Sequence, residues 1–524
     1  MKIIVTEKIA DKGIEVLKQA KDVQVDVRFD IERAELLKII PEYDAIVVRS
    51  VTKINEEFYQ HATNLKVVGR AGNGVDNIDV EGATKRGIIA VNTPESNIVS
   101  AAEHSIGLLL SSARNITMAH ERITSKVWDR NGLKGSELLG KTVGIIGLGR
   151  IGGLVATRLK AFDMKIIAYD PYIGEARFQK YGAERCGTLD ELLAKADFIT
   201  VHTPKTEETF NMISDEQFKK VKKGVRVVNC ARGGIINEDA LAKALKAGIV
   251  GSAGIDVLVD EPNPTSPLIG MDHCVLTPHI GADTVEAQDN VGKTIAEEVL
   301  AALRGEIVPN AVNLPTLQPQ ELGVMKNYLQ LGEFLGKIYY QLEKEAIDKV
   351  EIIYQGLDKI ETSMLSRAIL KGLFQPILKE RVNYVNALLT AEARGVDVIE
   401  SINKTADKHQ NLIKLNICSA EKIFTVSGTV FDKTEIRILE IDGYKFDLTP
   451  TPFMLVAKNE DKPGMIGQIG TLLGASKVNI ATMQVSRAED SAMMFMTVDS
   501  NVNKATLDLL RGLEGIIKVD LVRL

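Results

Sequence analysis

A chain of 524 residues is too long for one hydrophobic core, and at about 150 residues per domain it divides into three or four. With 45% apolar residues, 26% charged residues and a net charge of −6, it has the composition of a globular protein and gives no reason to expect nucleic acid or an anionic membrane as a partner. The four cysteines, Cys186, Cys230, Cys274 and Cys418, stand far apart without a CxxC pair, so no metal is expected and reduced thiols in a cytoplasm are.

The first residues enter an apolar strand directly, without the basic, apolar and small-residue order of a secretory signal. Val/Ile runs at 2–6, 45–49, 65–70 and 88–92 alternate with helical segments, as parallel strands buried on both faces do. An apolar helix is expected over 98–118. Glu103, His104 and Arg114 within it mark a buried or interface helix rather than a membrane span.

Residues 141–170 then write strand, glycine turn, helix, second strand and terminal acid in order. Gly147, Gly149 and Gly152 have GxGxxG spacing: the first permits the tight turn, the second admits a pyrophosphate, and the third lets helix pack on strand. The helix opening at Arg150 and Ile151 turns unpaired N–H groups toward the phosphates. Asp170 would accept hydrogen bonds from the adenosine ribose and repel a 2′-phosphate, which favours NAD over NADP. Further strands at 197–202, 225–230, 251–256 and 274–278, with helices such as 190–195 and 238–246, complete a doubly wound α/β sheet. A helix over 285–304 could return the chain to the first domain.

Past Gly305, prolines at 309, 315 and 319 suggest an extended connector. Residues 320–450 mix amphipathic helix with short strands and read as a separate α+β module. After a second break at Thr449-Pro-Thr-Pro452, the remainder runs βαββαβ, an antiparallel sheet with helices on one face.

Open α/β sheets bind ligands at the carboxyl ends of their strands. Thr203, Pro204, Arg232, Asp256 and His279 occupy such ends, as does His202. Moving a hydroxyl proton during hydride transfer calls for a group of near-neutral pKa, but spacing alone leaves His202 and His279 equal candidates. Glu261 could hold an imidazole in its working tautomer. Arg232 lies in Asn229-Cys-Ala-Arg-Gly-Gly234, where a guanidinium can grip a carboxylate with two parallel bonds.

Gly69-Arg-Ala-Gly-Asn-Gly-Val-Asp-Asn-Ile-Asp79, Asn92-Thr-Pro, the glycine fingerprint, His202-Thr-Pro, Asn229 to Gly234, Asp260-Glu-Pro262 and Thr277-Pro-His-Ile-Gly-Ala282 together resemble the D-isomer-specific 2-hydroxyacid dehydrogenases, over the whole chain. The resemblance implies two doubly wound parallel-sheet domains: a substrate domain of residues 1–97 and 285–312, and a Rossmann NAD domain of 98–284. It further implies an intervening α+β domain over 313–450 and a βαββαβ ACT domain over 451–524. Arg232, Glu261 and His279 become the catalytic set, which decides between the histidines. NAD would contact Gly147, Gly149, Arg150, Ile151, Gly152, Asp170, Thr203, Pro204, Cys230, Ala231, Arg232, Asp256, His279, Gly281 and Ala282. In the long forms of the family the substrate is 3-phosphoglycerate. Here Arg49, Ser50, Arg70, Gly72, Asn73 and Asn97 would hold it, together with Arg232 and His279. L-serine is the implied effector, at Asn459, Asp461 and Asn479, with Asn459 standing where relatives often place His or Tyr. A homo-oligomer, dimer or tetramer, is expected. A phosphate-free relative such as a glyoxylate or hydroxypyruvate reductase is the nearest other reading, and Arg49, Arg70 and the C-terminal module argue against it. The other is a non-enzymatic NAD-binding regulator, which an intact catalytic set argues against.

Overall fold

The computed structural model describes residues 1–524 except 263–264, 318, 359, 380–381, 405–409, 421, 433 and 489–490, and the side chains of 319, 320 and 322. Four sheets organise it. The first orders its strands Gln24–Val27, Lys2–Val5, Ala45–Val48, Val67–Arg70 and Ile89–Val91, all parallel. Ala45–Val48 is buried throughout, which explains why it reads as a continuous apolar run.

The second sheet runs Cys274–Leu276, Val250–Ile255, Val225–Asn229, Phe198–Val201, Thr142–Ile146, Lys165–Tyr169 and Glu184–Arg185, again parallel. Strand order reverses beside Thr142–Ile146, so the crevice at a topological switch point opens above the glycine turn. Thr284 caps the return helix Val285–Leu303 by accepting from Ala287 N–H at 3.2 Å, and the helix packs on the first sheet and on Asp11–Gln19.

The helix expected over 98–118 is divided. It runs Ile98–Arg114, turns at Asn115 with φ 52°, and restarts as Ile116–Thr124. Asparagine tolerates the left-handed region, and this side chain is fixed there by His273 Nδ1 at 3.0 Å. The first part is buried along one face; the second buries no residue. Among the described residues no helix is long and apolar enough to cross a membrane.

The third sheet, Asp397–Asn403, Lys349–Gln355, Leu412–Cys418, Ile423–Phe431, Glu435–Ile441 and Tyr444–Leu448, is mixed, with one parallel pair at its edge. Helices Pro319–Leu342 and Thr362–Leu378 pack together across it. The last sheet, Ile480–Ala488, Ser491–Val498, Phe453–Glu460 and Ile516–Arg523, is antiparallel, and helices Met465–Ala475 and Lys504–Arg511 give the βαββαβ order. Its inner residues Met454, Phe495 and Val522 join the core of the intervening module, so these two modules share one apolar interior. The four cysteines are free thiols.

Candidate active site

The glycine turn is shaped for close approach. Gly147 has φ 89°, and a Cβ there would lie 2.6 Å from the His202 carbonyl oxygen. At Gly152 a Cβ would meet the Gly147 carbonyl oxygen at 2.1 Å, whereas above Gly149 the space is open. Gly149 is the N-cap of helix Arg150–Lys160 and supplies no side chain, leaving the first N–H groups for an anion. Asp170 accepts Leu148 N–H at 3.0 Å and Tyr172 N–H at 3.1 Å, which ties the end of the second strand to the turn. Arg150 is held by Glu95 at 3.3 Å. The Thr203 hydroxyl and the Asn97 amide oxygen are buried with no partner in the structure, as expected of groups that a ligand completes. These features fit a dinucleotide.

Asp256 follows strand Val250–Ile255 and is 1% exposed. Its carboxylate accepts Thr277 Oγ1 at 2.5 Å and the N–H groups of Ile280 and Gly281, each at 2.9 Å. His104 Nε2 stands 3.2 Å from the same carboxylate and 3.1 Å from Thr277 Oγ1. Burial pushes the Asp256 carboxyl up, yet its hydrogen bonds, led by His104 and Thr277, outweigh this and hold it below the ordinary carboxylate value. A lowered folded pKa means that stability is present above the unfolded value of about 3.9 and is lost as pH falls through the folded one. Asp256 therefore anchors the loop that carries His279. Asp256→Ala is expected to cost about 3 kcal/mol, because three donors, that of Gly281 fully buried, lose a buried charged acceptor. Urea denaturation checks this, and an unchanged midpoint would contradict it.

His279 has φ 54°, a conformation costing about 1–2 kcal/mol outside glycine, and its N–H is tied to the Asp256 carbonyl at 2.8 Å. Its Nδ1 meets Glu261 Oε2 at 2.7 Å, and Glu261 Oε1 accepts Leu258 N–H at 2.8 Å. Burial raises the Glu261 carboxyl, but the bonds from His279 and Leu258 bring it below the ordinary range, so it is ionised at neutral pH. The side chain of His279 remains 47% exposed, with Nε2 opposite the anchored nitrogen. His202 differs. Burial pushes its imidazole down to about 4, and its Nε2 is engaged by Thr200 Oγ1 at 2.9 Å. It is neutral and occupied, so geometry independently favours His279.

Three arginines, Arg49, Arg70 and Arg232, stand at or just past strand ends. Arg232 Nη1 donates to Ala231 O at 2.7 Å, and its Nε stands 3.6 Å from Asp76. Burial, and then the Arg232 charge, pull the Arg70 guanidinium down to about 10, still charged at neutral pH; Arg49 acts in the same sense. Arg70 Nε is buried without a partner. Arg49 reaches Lys8 O only at 3.4 Å. The turn carrying Arg49 and Ser50 is braced by Glu7, which accepts Thr52 N–H at 2.8 Å and Val51 N–H at 3.1 Å, and by Asn77 on the Arg49 carbonyl at 2.9 Å. Three mutually repelling cations, one buried atom of them unpaired, make a place for a multiply charged anion.

Glu7, Asp76, His104 and Thr277 were not singled out from the sequence. Each acts through a partner distant in the chain; Asp76 and Thr277 lie in runs that carry the family resemblance, whereas Glu7 and His104 carried no site signal. Cys230 is half-buried, and desolvation pushes its thiol up to about 12. In the C-terminal module, Asn459 is 1% exposed with its amide oxygen unpartnered. Asp461 is bonded to Arg487 at 3.4 Å and Asn479 to Asp499 at 2.7 Å. The helix after Asp461 starts at Gly464 with no side-chain cap, so Asp461 flanks that helix without capping it.

Family models match three stretches of the chain. Residues 106–281 match the NAD binding domain of D-isomer specific 2-hydroxyacid dehydrogenases, 324–442 the D-3-phosphoglycerate dehydrogenase intervening domain, and 453–515 the ACT domain. The D-3-phosphoglycerate dehydrogenases of Archaeoglobus fulgidus and Methanocaldococcus jannaschii are 43% and 42% identical, each over 100% of both chains. That of Bacillus subtilis is 39% identical over 100% of this chain and 99% of its own. Among solved structures, the Aquifex aeolicus D-lactate dehydrogenase complexed with NAD and lactic acid is similar with a TM-score of 0.53 at 28% identity, covering 60% of this chain and 100% of that one. With a fold and a dinucleotide cradle that agree with these matches, the chain belongs to the D-3-phosphoglycerate dehydrogenase family of NAD-dependent oxidoreductases.

Proposed function

We propose that the chain oxidises 3-phosphoglycerate at C2 to 3-phosphohydroxypyruvate, the first step of L-serine biosynthesis. The observation that carries this reading is the His279–Glu261 pair, 2.7 Å apart, together with the convergent charges of Arg49, Arg70 and Arg232. NAD, held along Gly147 to Gly152, Asp170, Thr203, Pro204, Cys230, Ala231, Gly281 and Ala282, supplies the hydride acceptor. His279 Nε2 takes the 2-hydroxyl proton as the C2 hydride leaves, and ionised Glu261 stabilises the resulting imidazolium. Arg232 binds the substrate carboxylate and draws charge toward the C2 oxygen. Gly72, Asn73 and Asn97 line the same position, while Arg49 and Arg70, with Ser50, take the phosphate. The substrate domain, 1–97 with 285–312, closes on the NAD domain, 98–284, about this cleft, and closure excludes water.

Arg49→Ala and Arg70→Ala separate this substrate from phosphate-free ones. Each is expected to raise the KM for 3-phosphoglycerate by roughly tenfold or more, from a lost charged hydrogen bond of about 1.5–3 kcal/mol, with NAD affinity retained. Equal loss of both affinities contradicts the assignment.

The same reading places the enzyme in the cytoplasm as a homo-oligomer, dimer or tetramer, whose 451–524 domains bind L-serine through Asn459, Asp461 and Asn479. The buried, unpartnered Asn459 oxygen supports a ligand there. L-serine is expected to inhibit, and Asp461→Ala to weaken that inhibition by about tenfold, as loss of one charged contact would. Equal inhibition of the variant and the natural chain, in a serine titration, argues against this site.

A further inference from the structure

The loop that lines the substrate position is not self-supporting. The Gly72 carbonyl accepts Thr93 N–H at 3.0 Å, and the Asn73 carbonyl accepts Asn92 Nδ2 at 2.6 Å. Asn92 and Thr93 continue the edge strand Ile89–Val91, which is only three residues long and pairs on one side with Val67–Arg70. On its other side it is held by the connector: Val312 N–H reaches Ala90 O at 2.7 Å, and Asn313 accepts Ala90 N–H at 3.0 Å while donating to Ile88 O at 2.9 Å.

The start of that strand is clasped from the intervening module. Asn383 Nδ2 donates to Gly87 O at 2.5 Å. Gly87 has φ 69°, and a Cβ there would stand 2.7 Å from Asn386 Nδ2, so the turn is fitted closely beneath the two asparagines. The clasp is itself rigid. Asn386 Oδ1 accepts Asn383 N–H at 2.9 Å, and Asn383 Oδ1 accepts Val385 N–H at 2.9 Å. Arg367 Nη1 donates to the Tyr384 and Val385 carbonyls at 3.2 and 3.1 Å. Tyr384 Oη is bonded to Glu333, which also pairs with Lys371 at 2.7 Å, and the Lys371 ammonium lies 4.3 Å from the Tyr384 ring centre. Of these groups, Glu333, Arg367 and Lys371 sit on the two long helices of the intervening module.

We propose that Asn383 is a positioning residue for substrate binding: through Gly87 and the short strand Ile89–Val91 it sets where Asn92 and Thr93 hold the Gly72 and Asn73 carbonyls, and so how that loop faces Arg70 and Arg232. A three-residue strand has few bonds of its own to define its register, so a clasp at one end is transmitted to the other. The intervening module thereby acts on the substrate side of the cleft, and the glycine turn of the NAD side lies outside the route. The inference rests on the proposed substrate reading only where substrate is used to detect it.

Asn383→Asp is the cleanest test, because it keeps the Oδ1 acceptor for Val385 N–H and removes the donor to Gly87. Asn383→Ala is the second variant, should the new carboxylate unfold the turn. Two readouts are taken on full-length protein of unchanged melting temperature. Amide hydrogen exchange, which needs no substrate, is expected to quicken at least threefold across residues 71–79 and to stay unchanged across 147–152. The KM for 3-phosphoglycerate is expected to rise about threefold to tenfold, with the KM for NAD and kcat within twofold, and adding Asn92→Ala is expected to give less than the product of the two single effects. Unchanged exchange at 71–79, or equal change at 147–152, overturns the inference whatever the substrate. Altered exchange in a protein that fails to oxidise 3-phosphoglycerate upholds the positioning role and overturns the substrate reading instead.

Discussion

Replacing His279 with glutamine is expected to lower kcat for 3-phosphoglycerate oxidation by about a thousandfold, within the roughly 10²–10⁴ that a positioned acid–base group contributes. NAD affinity is expected to hold within about threefold, since the pyrophosphate and ribose contacts lie at the other end of the cleft. The size of the effect follows from the placement: His279 is fixed by Glu261 on Nδ1 and by Asp256 on its own N–H, leaving Nε2 to the substrate. Glu261→Gln is expected to do less, about tenfold to a hundredfold, because the ring keeps an amide partner but loses a charge opposite the imidazolium. The folded Glu261 carboxyl lies under its ordinary value, so its contribution persists down through the usual carboxylate range and is lost only as pH falls through that lowered value. Stopped-flow turnover beside NAD titration checks both variants; a fall of less than tenfold for His279→Gln would mean that another group moves the proton.

Arg232→Ala is expected to lower kcat/KM by about 10²–10³, or about 3–4 kcal/mol, because one guanidinium serves both the carboxylate and the developing charge at C2. Arg232→Lys is expected to recover little, since an ammonium cannot reproduce two parallel bonds. The neighbours sharpen the expectation. Without Arg232, Arg70 and Arg49 remain to hold the phosphate, so substrate still binds but with its reacting end free, and kcat falls more than KM rises. Steady-state kinetics with 3-phosphoglycerate separates the two terms; a change confined to KM would assign Arg232 to binding alone.

The dinucleotide fingerprint was legible because much of its chemistry is local: Gly152 and Asp170 are needed where they stand by contacts to Gly147 and Leu148 within one strand–turn–helix unit. Strand-rich stretches were legible for the same reason, as with the wholly buried Ala45–Val48. The choice between His202 and His279 was not, because both follow strands and only depth separates them: one imidazole is pushed down to about 4 by burial, and the other is half open to the cleft. Nor could spacing show that Asp256 serves as the anchor of the His279 loop, since its partners His104 and Thr277 come from other elements. The division of the long helix at Asn115 escaped a periodicity reading because it depends on one residue at φ 52°, fixed by His273. The clasp of Asn383 on Gly87 joins residues 296 apart and has no local signature at all.

The modules are coupled by more than sequence adjacency. Phe495 and Val522 of the C-terminal sheet lie in the interior of the intervening module, and Lys518 is bonded to the Leu342 carbonyl and lies 3.3 Å from Glu343 at the end of its first long helix. That helix also carries Glu333, which holds Tyr384 beside the Asn383 clasp. A continuous set of packed and bonded groups thus runs from the C-terminal sheet to the turn at Gly87.

The arginine cluster is expected to select a phosphorylated 2-hydroxyacid for oxidation by the His279–Glu261 pair. NADH formation, measured for the purified full-length chain with 3-phosphoglycerate and, in parallel, with D-glycerate and D-lactate, tests it most directly. Turnover of 3-phosphoglycerate is expected with kcat/KM at least about a hundredfold above either phosphate-free acid, from roughly 3 kcal/mol of charged contacts to the phosphate. Equal or better turnover of D-glycerate or D-lactate, or no NADH from any of the three, would contradict it.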